Sequence, residues 1–141
     1  MKKQGPFVIV EDDLDDQDMV RIILQEDLGV SNELLFFDRV APALSFLIET
    51  RQQPFIILSD VNLPNMSGLD LRRRINENDY LREKSIPFVF FTTSANKKDV
   101  REAFLMTVQG YFEKPHTVNT LRDTLRIIIN YWDTSLHPNS F

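Results

Sequence analysis

Four short apolar runs, each cut off by polar residues, constrain the fold of this chain more than any other feature. Phe7-Val8-Ile9-Val10 ends in Glu11-Asp12, and Phe55-Ile56-Ile57-Leu58-Ser59 ends in Asp60. Phe88-Val89-Phe90-Phe91 ends in Thr92-Thr93, and Gly110-Tyr111-Phe112-Glu113 runs into Lys114-Pro115. Runs of this kind, separated by helix-like stretches, read as buried parallel strands of an α/β sheet. In open sheets of that type, ligands bind beyond the carboxyl ends of the strands. Three acids, a hydroxyl and a lysine then meet on one edge, and that set reads as a site.

The intervening segments carry helical patterns. Residues 14–28 place Val20, Ile23, Leu24 and Leu28 on one stripe before Gly29. Asp13, Asp15, Asp16 and Asp18 crowd the start of that helix, where its dipole favours negative charge. Residues 33–37 read as a second strand, and residues 40–50 as a helix with Ala43, Leu44, Leu47 and Ile48 on one side. Residues 61–68 (VNLPNMSG) form a loop by their Pro, Asn and Gly content. A helix opens at residues 69–75, and residues 76–85 are a polar connector of undefined shape. Another helix starts at Asn96 or Lys97, with Val100, Phe104 and Val108 on one face. The last covers about residues 118–132, spaced by Leu121, Leu125, Ile128 and Trp132. Five β-α repeats with no internal linker predict a doubly wound (βα)5 three-layer α/β sandwich, with helices on both faces of a five-stranded parallel sheet. One domain spans residues 1–141, with residues 134–141 expected as a frayed tail.

Composition narrows the function classes. A chain of 141 residues is one domain by size, and 43% hydrophobic content with eleven Phe supports a compact core. A net charge of −5 argues against a nucleic-acid-binding surface. The basic triplet Arg72-Arg73-Arg74 reads as a solvated helix face. With no cysteine, disulfides and thiolate chemistry are excluded. Met1-Lys2-Lys3 lacks the apolar stretch of a signal peptide, and no run approaches the roughly 18 apolar residues of a membrane span. The expectation is a cytoplasmic protein with neither membrane nor nucleic-acid partners.

Glu11, Asp12 and Asp60 would bring three negative charges together, which repel unless protonated or neutralised. A divalent cation resolves that conflict, and oxygen-only donors favour a hard ion such as magnesium over zinc. Such a site invites phosphoryl transfer. Asp60 is placed to act as a nucleophile giving an acyl phosphate, Lys114 to hold a phosphate oxygen, and Thr92 to donate its hydroxyl to another. Movement of Thr92 towards the phosphate supplies a local packing change able to bias a two-state equilibrium.

The same residues carry a family likeness. The chain resembles a response regulator receiver domain over about residues 6–132, through Glu11-Asp12, Asp60 in SDVNLPNMSG, Thr92, and Tyr111 with Lys114-Pro115. The resemblance implies a flavodoxin-like fold of strand order 2-1-3-4-5 and a cis peptide before Pro115. It implies Asp60 as phosphoacceptor, with magnesium held by Asp12, Asp60 and the backbone carbonyl of Asn62, and by Glu11 largely through water. Lys114 would pair with the phosphate, and Thr92 and Tyr111 would be switch residues. More narrowly, VEDDLDDQDMV and the connector NENDYLREKSIPFVFFTTSA resemble small single-domain regulators paired with phytochrome-type or hybrid histidine kinases. The implied partners are a sensor histidine kinase or phosphotransfer protein and a downstream protein target. A homodimer through the helix 4–strand 5–helix 5 face is a further possibility, with Met106, Tyr131 and Trp132 marking it. Thr93, where a smaller residue is usual, is expected to narrow access to the phosphate, and Asn62 and Ser94 stand where the family tunes phosphate lifetime.

Plainer readings stand beside these. Asp60 alone is also an ordinary turn or helix-capping aspartate, and Glu11-Asp12 also precap a helix. Thr92 is also a buried hydroxyl, Lys114 a surface turn lysine, and Tyr111 a plain aromatic. Neither His116 nor His137 has a helical context suited to phosphohistidine chemistry. A non-phosphorylated docking module of the same fold is the main rival. A magnesium phosphatase of the haloacid type is disfavoured, because Asn62 stands where that chemistry needs a second Asp.

Overall fold

The computed structural model describes residues 4–140, so the reading of Met1-Lys2-Lys3 lies outside the described residues. The five strands are β1 (Phe7–Val10), β2 (Leu34–Phe37), β3 (Ile56–Ser59), β4 (Phe88–Thr92) and β5 (Gly110–Glu113). All neighbours pair in parallel, in the order β2-β1-β3-β4-β5. The helices are α1 (Leu14–Ile22), α2 (Val40–Glu49), α3 (Gly68–Glu77), α4 (Asp79–Lys84), α5 (Lys97–Leu105) and α6 (Val118–Thr134).

Alternation along the buried strands divides the core in two. Val8, Val10, Ile57, Phe88 and Phe90 face the layer containing α2, α3, α4 and α5. Phe7, Ile9, Ile56, Leu58, Val89 and Phe91 face α1 and α6. Full burial of such a side chain is worth about 1.5–3 kcal/mol. The central strands β1, β3 and β4 are buried at every position, in keeping with apolar runs broken only by Ser59 and Thr92 at the ends of β3 and β4.

Side-chain caps start most of the helices. Asp13, Asn78, Asn96 and Thr117 each accept from the backbone N–H three residues on. Ser67 and Asp70 form a reciprocal capping box at the start of α3. The Asn78 cap explains why the polar connector holds α4: it has one buried apolar side chain, Leu81, and ends at Ser85 in the left-handed region at φ 52°. A six-residue helix presents too little periodicity to be read from sequence. The first helix ends in a π-helical turn, Ile23–Asp27, and Gly29 follows at φ +63°.

Two expectations are corrected. Arg72 is not on a solvated face but 7% exposed, stacked on Phe88 and donating to the carbonyls of Met106 and Thr107 at the end of α5. It satisfies carbonyls that the helix itself leaves open. Residues 135–139 are not frayed. His137 is fully buried, stacked on Phe55 with ring centroids 4.9 Å apart, and its Nε2 bonds the Phe55 carbonyl. Asn139 donates from its backbone N–H to His137 Nδ1 at 3.0 Å and from its side chain to the Gln4 carbonyl.

Gly68 is fixed by contact. A Cβ there would lie 2.0 Å from the Asp60 carbonyl oxygen and 2.9 Å from the Phe90 ring. Gly68→Ala is therefore expected to destabilise the protein by about 1–3 kcal/mol, an overpacking cost. Urea denaturation of the two forms checks this.

Candidate functional site

Register assembles the site. Val10 pairs with Ser59 across β1 and β3, so the next residues, Glu11 and Asp60, leave neighbouring strands side by side. The Asp60 N–H donates to the Val10 carbonyl at 3.0 Å and holds this alignment. Ser59 pairs with Phe90, and Thr92 pairs with Glu113, which brings Thr92 and Lys114 to the same edge. The Lys114 N–H donates to the Thr92 carbonyl at 2.9 Å.

Asp60 is 8% exposed. Its Oδ1 accepts from the backbone N–H groups of Val61 at 2.7 Å and Asn62 at 3.3 Å, and from the Thr92 hydroxyl. Its Oδ2 faces the Lys114 ammonium at 3.2 Å. Oδ1 is thus held by three donors while Oδ2 keeps one, leaving Oδ2 the freer oxygen. Glu11 is also buried; its Oε1 bonds Lys114 and its Oε2 accepts from the Asp13 N–H at 3.1 Å. Lys114 reaches a third carboxylate, Asp16, at 3.0 Å. The peptide before Pro115 is trans, against expectation; trans is the isomer X–Pro bonds prefer by about 0.5–1 kcal/mol.

Glu11, Asp12 and Asp60 each offer a carboxylate oxygen, and these oxygens lie within 4.8 Å of one another. Glu11 and Asp60 are buried and Asp12 is exposed, so the cluster opens to solvent on the Asp12 side. An all-oxygen set of this compactness fits a hard divalent cation. Asn62 is exposed in the loop following Asp60.

Thr92 is fully buried, and its Oγ1 also accepts from the Ser94 N–H at 3.1 Å. Tyr111 is half-buried and donates its hydroxyl to the Ser94 carbonyl. Burial, then the charge of Asp99, holds its pKa above that of a free phenol, so it stays a donor. Ser94 Oγ in turn bonds Asp99 at 2.7 Å. A continuous hydrogen-bonded path thus joins Asp60, Thr92, Ser94 and Tyr111. Thr93 is exposed, as is His116, which lies outside this path.

Sequence reasoning missed two participants. Gln17 is buried and its side-chain amide donates to the Glu11 carbonyl, fixing the β1–α1 turn. Asp16 was legible in principle: it stands one helical turn before Val20, on the stripe that faces the sheet.

Comparison with known proteins settles the family. The family model described as response regulator receiver domain matches residues 7–126. The chain belongs to the response regulator receiver domain family. The receiver is 30% identical over 131 residues to response regulator Rcp1 of Synechocystis, covering 89% of this chain and 87% of that one. It is 29% identical to chemotaxis protein CheY-3 of Vibrio cholerae, over 89% and 92% of the two chains. Among solved structures, the Mn2+-bound form of response regulator Rcp1 superposes with a TM-score of 0.80 at 27% identity, covering 94% of this chain and 96% of that one. The phosphorylated cyanobacterial phytochrome response regulator RcpA shares the fold at TM-score 0.86 and 24% identity, over 96% and 99%. Among the described residues, no helix of this receiver is long and apolar enough to cross a membrane.

The receiver's acidic edge has an electrostatic signature. Burial pushes the Glu11 carboxyl up to about 7, against the opposing pull of the Lys114 hydrogen bond and charge. For Lys114, burial acts downward, but the Glu11 hydrogen bond and the charges of Asp60 and Glu11 outweigh it and the net shift is upward. The ammonium stays charged. Because the folded Glu11 value lies above the ordinary 4.5, the folded state binds the extra proton between those values. The Glu11 contribution to stability therefore falls as pH rises from about 4.5 to about 7 and is level above that. Urea titrations at pH 5 and pH 7.5 are expected to show a smaller difference in Glu11→Gln than in wild type.

Proposed function

We propose that this receiver accepts a phosphoryl group on Asp60 from a histidine kinase or phosphotransfer protein, and that the modification alters which proteins it binds. The observation that carries the reading is the Asp60 carboxylate itself. It ends a central strand with Oδ1 fixed by three donors and Oδ2 beside an ammonium. In the transfer, an Asp60 oxygen attacks the phosphorus of the donor phosphohistidine. The new O–P bond forms as the P–N bond breaks, and the electron pair leaves with the imidazole nitrogen. Later attack of water on the phosphorus releases inorganic phosphate and restores the carboxylate.

Lys114 is placed to pair with an oxygen of the transferred group, as a point charge already at the carboxylate. The Thr92 hydroxyl, now on Asp60 Oδ1, is within reach to turn onto another phosphoryl oxygen. Glu11, Asp12 and Asp60, with the Asn62 carbonyl, would hold a divalent ion, and magnesium suits this donor set. Such an ion, when bound, neutralises charge on the transferring group. The Mn2+-bound form of response regulator Rcp1 supports a divalent site in a relative of nearly the same length.

The change at Thr92 has a route outward through Ser94 to Tyr111 on the edge strand. That strand lies between α5 and α6, the helix 4–helix 5 pair of the expected partner face. Phe104, Leu105, Ile127 and Tyr131 are large apolar side chains exposed on those two helices. Met106 and Trp132, expected on this face, are half-buried. We read this face as the place where a protein partner or a second copy docks. Kinase-fed chemistry of this kind belongs in the cytoplasm.

Incubation with magnesium and a small acyl-phosphate donor is expected to add one phosphate to wild type. Asp60→Asn is expected to add none, and chelation to abolish the adduct. Intact mass spectrometry reads each outcome; an adduct retained in Asp60→Asn would contradict the assignment.

A further inference from the structure

Lys114 has three carboxylate partners, Glu11, Asp16 and Asp60, and only two of them belong to the compact oxygen cluster with Asp12. Asp16 is the third. Its backbone is fixed by the Asp13 cap, which accepts from the Asp16 N–H at 3.0 Å. Its helix face is anchored by Val20 and Leu24, buried against the sheet. The Asp16 side chain is 47% exposed at the rim and extends to the ammonium at 3.0 Å, whereas Lys114 itself is 11% exposed.

A cation held by Glu11, Asp12 and Asp60 would engage two of the three groups that now hold Lys114, and would repel the ammonium. Asp16 lies outside that oxygen set and keeps its charge for Lys114. We infer that Asp16 is a positioning residue, which retains the Lys114 ammonium over Asp60 when a divalent cation occupies the acidic cluster. The inference rests on the phosphoacceptor reading above and extends it by a residue on α1. It accounts for a carboxylate that caps nothing and pairs across 98 residues of sequence with a strand-end lysine.

The test has two arms. In the first, the Lys114 side-chain nitrogen is observed by NMR, with and without saturating magnesium. Wild type is expected to keep a slowly exchanging ammonium signal in both conditions. Asp16→Asn is expected to keep it without magnesium, where Glu11 and Asp60 still hold it, and to lose it with magnesium. Asp16→Glu is expected to restore it. In the second arm, phosphorylation by a small acyl phosphate is expected to slow roughly three- to tenfold in Asp16→Asn at saturating magnesium. The magnesium dissociation constant is expected to change less than about twofold, a smaller effect than that on the rate. In a Lys114→Ala background, Asp16→Asn is expected to have no further effect, as for two residues acting through one contact.

An ammonium signal that survives magnesium in Asp16→Asn would overturn the inference. So would additive effects of the two substitutions, or a loss confined to magnesium affinity. Failure of wild type to take phosphate would remove the phosphoacceptor reading, and the NMR arm would still decide whether Asp16 holds Lys114.

Discussion

One ammonium allows this sheet edge to exist. Glu11 and Asp60 leave adjacent strands, both nearly free of solvent, and two such carboxylates repel. Lys114 lies between them, reaching both from the end of β5 and Asp16 from α1. Removing one partner of a buried ion pair of this kind costs about 3–5 kcal/mol, because the remaining charge is left uncompensated. The placement of Lys114 therefore ties the ends of β1, β3 and β5 into one unit. The raised Glu11 value comes from its burial, which still outweighs the lysine; the charge of Asp60 adds only a little.

The rest of the fold delivers these groups to that edge. The central strands are buried at every position and apolar up to their last residues, Ser59 and Thr92, because both faces are covered, so polar side chains gather where the strands end. Gly68 lets the start of α3 come against the Asp60 carbonyl, which sets the loop whose N–H groups hold Asp60 Oδ1. Gln17 does the corresponding work behind Glu11. Stability and site geometry thus share the same contacts at the carboxyl end. At the opposite end, Phe55 and His137 bind the C-terminal segment to the start of β3, away from the acidic cluster.

Much of this was legible in the sequence because the signals were large. Uninterrupted runs such as Phe7–Val10 and Phe88–Thr92 admit few assignments, and parallel strands force their terminal residues together. What escaped depended on tertiary contact. Helix α4 has one buried apolar residue and rests on its Asn78 cap, so periodicity could not reveal it. Arg72 sits in a basic triplet that looks solvated, yet the end of α5 offers it carbonyls and Phe88 offers it a ring. The tail is polar and short, and only the stacking surface of Phe55 makes His137 a core residue. Asp16 was masked by its neighbours: among four aspartates near the start of α1, only the helix face singles out the one that turns inward.

The central claim is that Asp60 is the residue that takes the phosphoryl group. Borohydride reduces an acyl phosphate to an alcohol, which converts a phosphorylated aspartate to homoserine. Reduction after incubation with a phosphodonor, followed by peptide sequencing by mass spectrometry, reads the acceptor position directly. The account predicts homoserine at position 60 and an unreduced Glu11 and Asp12. Homoserine at another aspartate, or none in a chain that has demonstrably taken up phosphate, would contradict it.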